Sequence, residues 1–248
     1  MRQTASILFF ALAACAGTTG DGVESSELRE VEGFSSVRNS SQIRTTVEVG
    51  PDQGLELSCD ENLLPMIETN VSGDTLAIEI VDGLTLEPSI TCELLVTVPV
   101  LERIDNRGSA IMEVYGDVTD LSYVRNRASG RLILDDIWGD QMHVIAEGQG
   151  RVLLSGRIGV VELDSSSEGG IRAGELVSGD ANVTNSGAGD ITLTVMGDAT
   201  VRIQGEGDVR IHGYPDALDV NDAGCGDVVL NGDEESLAAN NEGCELGG

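Results

Sequence analysis

A short glycine pattern returns seven times between Asn106 and Asp227, at intervals so even that few folds remain open to the chain. The copies begin at Asn106, Arg127, Glu147, Ser167, Ser186, Gln204 and Ala223, and their anchoring glycines are Gly108, Gly130, Gly150, Gly170, Gly189, Gly207 and Gly226. These anchors stand 22, 20, 20, 19, 18 and 19 residues apart. A self-similar period of about 20 residues is the mark of a solenoid, in which each repeat is one coil and only its neighbours complete its core. After most of the turns comes an alternating strand: Leu132 and Leu134, Val152 and Leu154, Ile171 and Ala173, Ile191 and Leu193, Val209 and Ile211, Val228 and Leu230. Alternation with a period of two puts one face inward and the other in water. A second glycine column, Gly116, Gly139, Gly159, Gly179 and Gly197, falls half a repeat later. Each coil therefore holds at least two short strands and two corners.

One such coil buries almost nothing by itself. Stacked about 4.8 Å apart, parallel coils bury a continuous apolar column and satisfy one another's backbone groups, so seven copies make a rod roughly 30 Å long. Glycine at the corners is expected to supply a positive φ where a Cβ would clash. Aromatic residues are only 3% of the chain, so the core must be built from Val, Ile, Leu and Ala. No segment past the first 15 residues sustains an apolar 3.6-residue period for three turns, and the fold class is all-β: a single parallel β-helix. Before Asn106, strand-like segments at Arg44–Val49, Gly54–Ser58, Met66–Val71, Thr75–Val81 and Thr91–Val100 are expected to cap one end of the stack or to add coils. Open ends of such a stack would recruit other strands. The acidic tail at 233–248 is expected to cover the other end. The domain then runs from 30 to 232, with 30–105 as the N-terminal strands and cap and 106–232 as the regular coils. Residues 16–29 are Gly, Thr, Ser, Asp and Glu with little to bury and read as a flexible tether after Cys15.

The first residues carry an address. Arg2, an apolar run from Ala5 to Ala14 and then Cys15 read as a signal peptide, too short to span a bilayer. Leu12-Ala13-Ala14-Cys15 resembles the lipobox of bacterial lipoproteins, which implies cleavage of 1–14 and a lipid on Cys15 as the membrane contact. Ala16, not Asp, follows it, which by the same resemblance favours the outer membrane. Four cysteines remain: Cys59, Cys92, Cys225 and Cys244. An even number in an exported chain favours disulfides, and of the three connectivities the pairs Cys59 with Cys92 and Cys225 with Cys244 are preferred here. The formal charge is −29, from 43 acidic residues against 14 basic ones, all of them Arg. That field repels phosphate backbones and argues against nucleic-acid binding; its ordinary role is solubility.

Catalytic machinery is sought in vain. His143 and His212 have no nucleophile or ligand at matching spacing in the sequence. Ser165, Ser166 and Ser167 lie at a corner without a Gly-x-Ser-x-Gly elbow and read as turn residues. The Gly-x-Gly turns precede strands rather than helices, so they do not form phosphate loops. Asp190, Asp208 and Asp227 occupy equivalent places in successive coils and are the calcium candidates, although the calcium-binding nonapeptide solenoid places one residue between glycine and aspartate, and here there is none. Arg125, Arg127, Arg131 and Arg151 beside Asp135 and Asp136 would make either the lined face of a polysaccharide-active β-helix or a ladder of surface ion pairs, and the second is preferred.

Several segments, in order, resemble one family. Arg29 to Val37, then Asp60 to Leu63 with Ile67, Gly73 to Leu76, Val98 to Leu101 leading to Gly108-Ser109, and Gly213 to Leu218 before Gly224-Cys225-Gly226 are similar to the auto-transporter adhesin head domain, also called the head GIN domain, of exported bacterial proteins. The resemblance covers Arg29 to about Gly232 and implies a parallel β-helix with an adhesive role. It supplies no catalytic residues, and Cys225 replaces the serine usual there. The sequence is thus expected to be a lipid-anchored, non-enzymatic envelope module without cofactor, meeting a surface glycan or protein. A polysaccharide-active enzyme and a structural or signalling envelope component are the rival expectations.

Overall fold

Met112, Leu132, Val152, Ile171, Ile191, Val209 and Val228 lie directly above one another, each shut off from solvent. They form one wall of a parallel β-solenoid of about 6 turns, with coils roughly 20 residues apart. The computed structural model describes residues 19–81, 86–87 and 90–231. Cys15, the signal segment 1–14, Cys244 and the tail 233–248 lie outside the described residues.

Leu132–Ala146 shows how a coil is made. Leu132, Leu134, Ile137, Met142, Val144 and Ala146 all point inward, none more than 1% exposed. Strict alternation would throw Asp136 into the core. Instead the parallel register slips between Leu134 and Ile137, where Asp135 and Asp136 turn a corner and Asp136 takes φ 53°. Asp can adopt this left-handed conformation at modest cost because its short side chain bonds locally. Here the Asp136 amide donates to Ser155 Oγ at 2.9 Å, and its carboxylate accepts Trp138 Nε1 at 2.9 Å. Val152–Ser165 and Ile171–Asn185 repeat the course one and two coils on, with slips at the same corner. Among the described residues Phe34 is the one aromatic side chain in the core, which is otherwise filled mainly by Val, Ile, Leu, Ala and Met.

Glycine is required at the turns for a reason other than the one its chemistry first suggests. Of the seven anchors only Gly170 has a positive φ, of 73°. At Gly108, Gly130, Gly150, Gly189, Gly207 and Gly226 an added Cβ would overlap backbone atoms of the neighbouring coil. The constraint is the close passage of one coil over the next, not the local dihedral angles.

Chain order and stacking order differ at the N-terminal end. Ser36–Asn39 pairs in parallel with both Thr75–Ile80 and Arg103–Asn106. Arg44–Val49 likewise lies between Glu93–Val98 and Met112–Gly116. The first coil is thus sandwiched between the second and the third. The coil outside it is closed by antiparallel strands: Gly54–Asp60 on Glu93–Val98, and Ile67–Ser72 on Thr75–Ile80. Leu63, Leu64 and Ile67 are buried in this cap.

The tether is shorter than its composition suggests. Glu24–Arg29 forms a further antiparallel strand on Gly54–Asp60, and Arg29 Nη1 and Nη2 donate to Ile67 O at 2.6 Å and Leu64 O at 2.8 Å. An edge strand needs backbone pairing rather than apolar side chains, so a composition rule misses it. Cys59 and Cys92 are joined, tying Gly54–Asp60 to the start of Glu93–Val98. Cys225 is also disulfide-bonded.

Candidate functional site

On the run of each coil that ends at the glycine turn, alternate residues leave the core and stack into columns. Parallel register places Ser36, Arg103, Tyr123, His143 and Glu162 in one column, and Arg38, Asp105, Arg125, Ile145 and Asp164 in the next. Residues some 20 positions apart, or 67 in the case of Arg38 and Asp105, thereby become neighbours. Beneath them the last inward position holds Asn39, Asn106 and Asn126, all fully buried. Asn106 Nδ2 donates to Asn126 Oδ1 at 3.0 Å, and Asn126 Nδ2 to Gly150 O at 3.2 Å, so a chain of amides links one coil to the turn of another. Asn185 does the same farther along, donating to Gly189 O and Gly207 O. This asparagine column escaped the sequence reading. Its signal is the asparagine immediately before the turn in three of the seven repeats.

The outer columns form a polar ladder. Arg103 lies over the Tyr123 ring with Cζ 4.5 Å from the centroid, and the His143 ring meets Tyr123 edge-on at 5.8 Å. His143 Nε2 stands 2.8 Å from Asp164 Oδ2. With Glu162, these form the one group of three metal-capable side chains among the described residues, their ligand atoms within 4.8 Å of one another. The partners of His143 are 19 and 21 residues away, a spacing that counts as adjacency only once the coil length is known. His212 is exposed on Val209–Gly213.

Below this ladder sits an arginine cluster. Asp105 receives Arg107 Nη2 at 2.6 Å and Arg127 Nη2 at 2.8 Å, and Arg125 clasps Glu147 through two bonds of 2.7 and 2.8 Å. Burial alone would raise the Asp105 carboxyl, but hydrogen bonds and charge from Arg107 and Arg127 outweigh it and hold the group below its usual value. The bond from Arg125 likewise lowers Glu147. The side chain of Arg38, in the same column, makes no hydrogen bond or ion pair with any described residue, and its Nε is buried, as is that of Arg127.

The expected grouping of Arg125, Arg127, Arg131 and Arg151 with Asp135 and Asp136 does not form. Arg125 and Arg127 belong to the run before the turn, whereas Asp135 and Asp136 make the corner after the next strand. Asp135 accepts the Ser155 hydroxyl, and Arg151 Nε donates to Gly169 O at 3.3 Å. Asp135 and Ser155 border a groove of about 390 Å³ that is also lined by Ile133 and Leu153.

The calcium candidates Asp190, Asp208 and Asp227 stand in one column of the stack. Asp190 Oδ1 accepts the Asp208 amide and Asp208 Oδ1 accepts the Asp227 amide, both at 3.0 Å. Arg210 bridges the remaining oxygens of Asp190 and Asp208 at 2.6 and 2.7 Å. The column is a ladder that ties each coil to the next, and the Arg210 guanidinium relieves the like-charge repulsion between Asp190 and Asp208. Desolvation opposes ionisation of Asp190, yet the Arg210 bond and the Asp208 amide still lower it. The serine run is structural too, as expected: Ser167 Oγ accepts the amides of Gly169 and Gly170 at 2.9 and 3.2 Å.

A family model for "Putative auto-transporter adhesin, head GIN domain" matches residues 33–215. No curated protein matches the chain in sequence. Among solved structures, a putative adhesin from Bacteroides fragilis is 18% identical, with a TM-score of 0.81 over 86% of this chain and 100% of that one. A putative adhesin from Parabacteroides merdae is 16% identical, with a TM-score of 0.67 over 86% and 98%. A structure described as a putative lipid binding protein, from Parabacteroides distasonis, is 18% identical, with a TM-score of 0.65 over 87% and 99%. At these identities the likeness is one of fold.

Proposed function

The chain belongs to the putative auto-transporter adhesin, head GIN domain family, and from that premise we propose that it is a non-enzymatic binding module of the bacterial cell envelope, adhesin-like and held to the outer membrane by a lipid on Cys15. The observation that carries this reading is the unbroken ladder of outward side chains on evenly spaced coils. Evenly spaced coils leave little room for the long loops that build a catalytic cleft, and a broad regular face suits many weak contacts with a surface glycan or protein. The carboxylates of the rival polysaccharide-active reading, Asp135 and Asp136, bond to Ser155 Oγ and Trp138 Nε1 at a corner, away from Arg125 and Arg127. The net charge of −29 disfavours nucleic acid as a partner. The second disulfide of this reading joins Cys225 to Cys244.

The test is to express the full chain and its Cys15→Ser variant in a Gram-negative host. Radiolabelled palmitate should enter the first and not the second, and only the first should fractionate with the outer membrane. The purified protein should bind at least one component of a glycan or matrix-protein array without releasing reducing ends. Label in both variants would end the anchoring proposal, and glycan cleavage would end the non-enzymatic one.

A further inference from the structure

We propose that the arginine cluster on this face is a receptor for a single carboxylate group carried by an otherwise neutral saccharide; the inference rests on the binding role above and names the chemistry it recognises. Arg38, Arg103, Arg107, Arg125 and Arg127 are five of the 14 basic residues of the chain, gathered on three adjacent coils. They border a groove of about 250 Å³ floored by Ser36, Val37 and Ile104. In a protein with 43 acidic residues, chance placement would scatter these cations among carboxylates. The acids bonded to residues of the groove or its rim are Asp105, Glu147, Glu102 on Ser35 and Asp74 on Thr75. Five guanidinium groups against these four carboxylates leave a small local excess of positive charge in a chain that is elsewhere strongly acidic.

That excess is concentrated where it is least comfortable. Asp105 shares the Arg38 column in direct register, but both its oxygens are taken by Arg107 and Arg127. Arg38 is left with no described partner and with its Nε shielded from water. The buried Ser36 hydroxyl beside it also lacks one. A buried guanidinium Nε–H and a buried hydroxyl that are both unmatched cost stability unless something supplies acceptor oxygens. A planar carboxylate matches a guanidinium through two parallel bonds, which explains the use of Arg rather than a point charge. Arg103, stacked on Tyr123, is held at the rim with its donors free to meet a ligand.

The surrounding field selects among anions. A polyanion or an anionic bilayer would meet the acidic remainder of the molecule and be repelled, whereas one isolated charge on a neutral chain meets only the positive spot. The groove is smaller than the roughly 300–1,000 Å³ of pockets that enclose whole ligands. It therefore fits one residue of a saccharide chain, the rest of which would lie across neighbouring coils.

Titration calorimetry of the full chain in low salt tests this with a tetrasaccharide of one sialic acid on three neutral sugars, which carries a single carboxylate, against an N-acetylglucosamine tetramer. The charged probe should bind about tenfold or more tightly than the neutral one, and raising sodium chloride to about 0.5 M should abolish the difference. Arg38→Gln and, independently, the rim variant Arg103→Gln should each weaken the charged probe by about tenfold while leaving the circular dichroism spectrum unchanged. Equal binding of the two probes, or full binding by both variants, overturns the site. So does binding only to vesicles containing phosphatidylglycerol with none to the tetrasaccharide, which would move the ligand to a lipid headgroup. If the site fails in this way while the protein still captures array components, the adhesive role stands without it. If the tetrasaccharide binds as stated but no array component is captured, the role falls and the site remains.

Discussion

Replacing Gly150 by alanine adds one methyl group, and the structure assigns it a large cost. The new Cβ would overlap Gly130 O and stand 2.8 Å from Ala128 O and 2.8 Å from Gly130 C, all backbone atoms of the coil beneath. Ordinary carbon contacts lie at about 3.5–4.0 Å, so the two coils must part locally against a natural spacing of about 4.8 Å. Parting them strains the Gly150 amide bond to Ala128 O, now 2.8 Å, and the Asn126 Nδ2 bond to Gly150 O, now 3.2 Å. Each bond is worth about 1 kcal/mol net, and a buried amide stripped of its acceptor costs about 1–3 kcal/mol. Overpacking adds about 1–3 kcal/mol, while the stiffer unfolded chain returns about 0.4–1 kcal/mol. The expected loss is about 2–5 kcal/mol, a fall in Tm of roughly 5–15 °C for a domain of this size. Gly50→Ala is the matched control: nothing lies within 4 Å of its Cβ position, so that variant should melt within about 2 °C of the parent. Both are read by far-ultraviolet circular dichroism on heating and by urea titration. A Gly150→Ala protein within about 0.5 kcal/mol of the parent, or a Gly50→Ala protein equally damaged, would refute the view that coil-on-coil approach dictates these glycines.

Asn126→Ala should cost about 2–4 kcal/mol, because it leaves the buried Asn106 Nδ2 without its acceptor, whereas the exposed Asn182→Ala should be neutral in the same urea titration; similar losses would dismiss the asparagine column. The double variant Cys59→Ser with Cys92→Ser releases a span of 33 residues and should lose about 4 kcal/mol on the chain-entropy model. Hydrogen exchange should then quicken first in Gly54–Asp60, and a loss below about 1 kcal/mol would show that packing alone fixes the cap. Asp105 has its folded-state pKa lowered from 3.8, so the stability it contributes is full above about pH 4 and drains away as pH falls through the lower folded value. Asp105→Asn should therefore flatten the dependence of Tm on pH below about pH 4, and an unchanged acid limb would contradict the Arg107 and Arg127 pairing.

Much of the solenoid was legible without coordinates because its determinants are local and repeated. Alternation at Leu132 and Leu134, at Val152 and Leu154, and at Ile191 and Leu193 fixes which side of each strand is buried, and the glycine period fixes how often the chain returns. The site was less legible. His143 looked solitary because its partners, Glu162 and Asp164, follow a full coil later, and the sequence does not show that Arg210 stands between Asp190 and Asp208. Positive φ, expected at the corner glycines, holds at Gly116 and Gly170, whereas the obstacle at Gly108 is Ser41, 67 residues earlier.

The amino-acid pattern alone determined the period, the inward faces, the aliphatic core and the all-β class, since each follows from residue types within one coil. Only the tertiary structure decided that Ser36–Val49 is threaded between later coils and that Glu24–Arg29 closes the cap as an edge strand. That threading sets Arg38 beside Asp105 and completes the arginine cluster. Stacking depends on backbone pairing, which is the same for every coil, so any coil can lie on any other until the ends, the caps and the lengths of the connections choose among them. Which outward side chains become neighbours is then a matter of register between distant segments, and no spacing rule in the sequence expresses it.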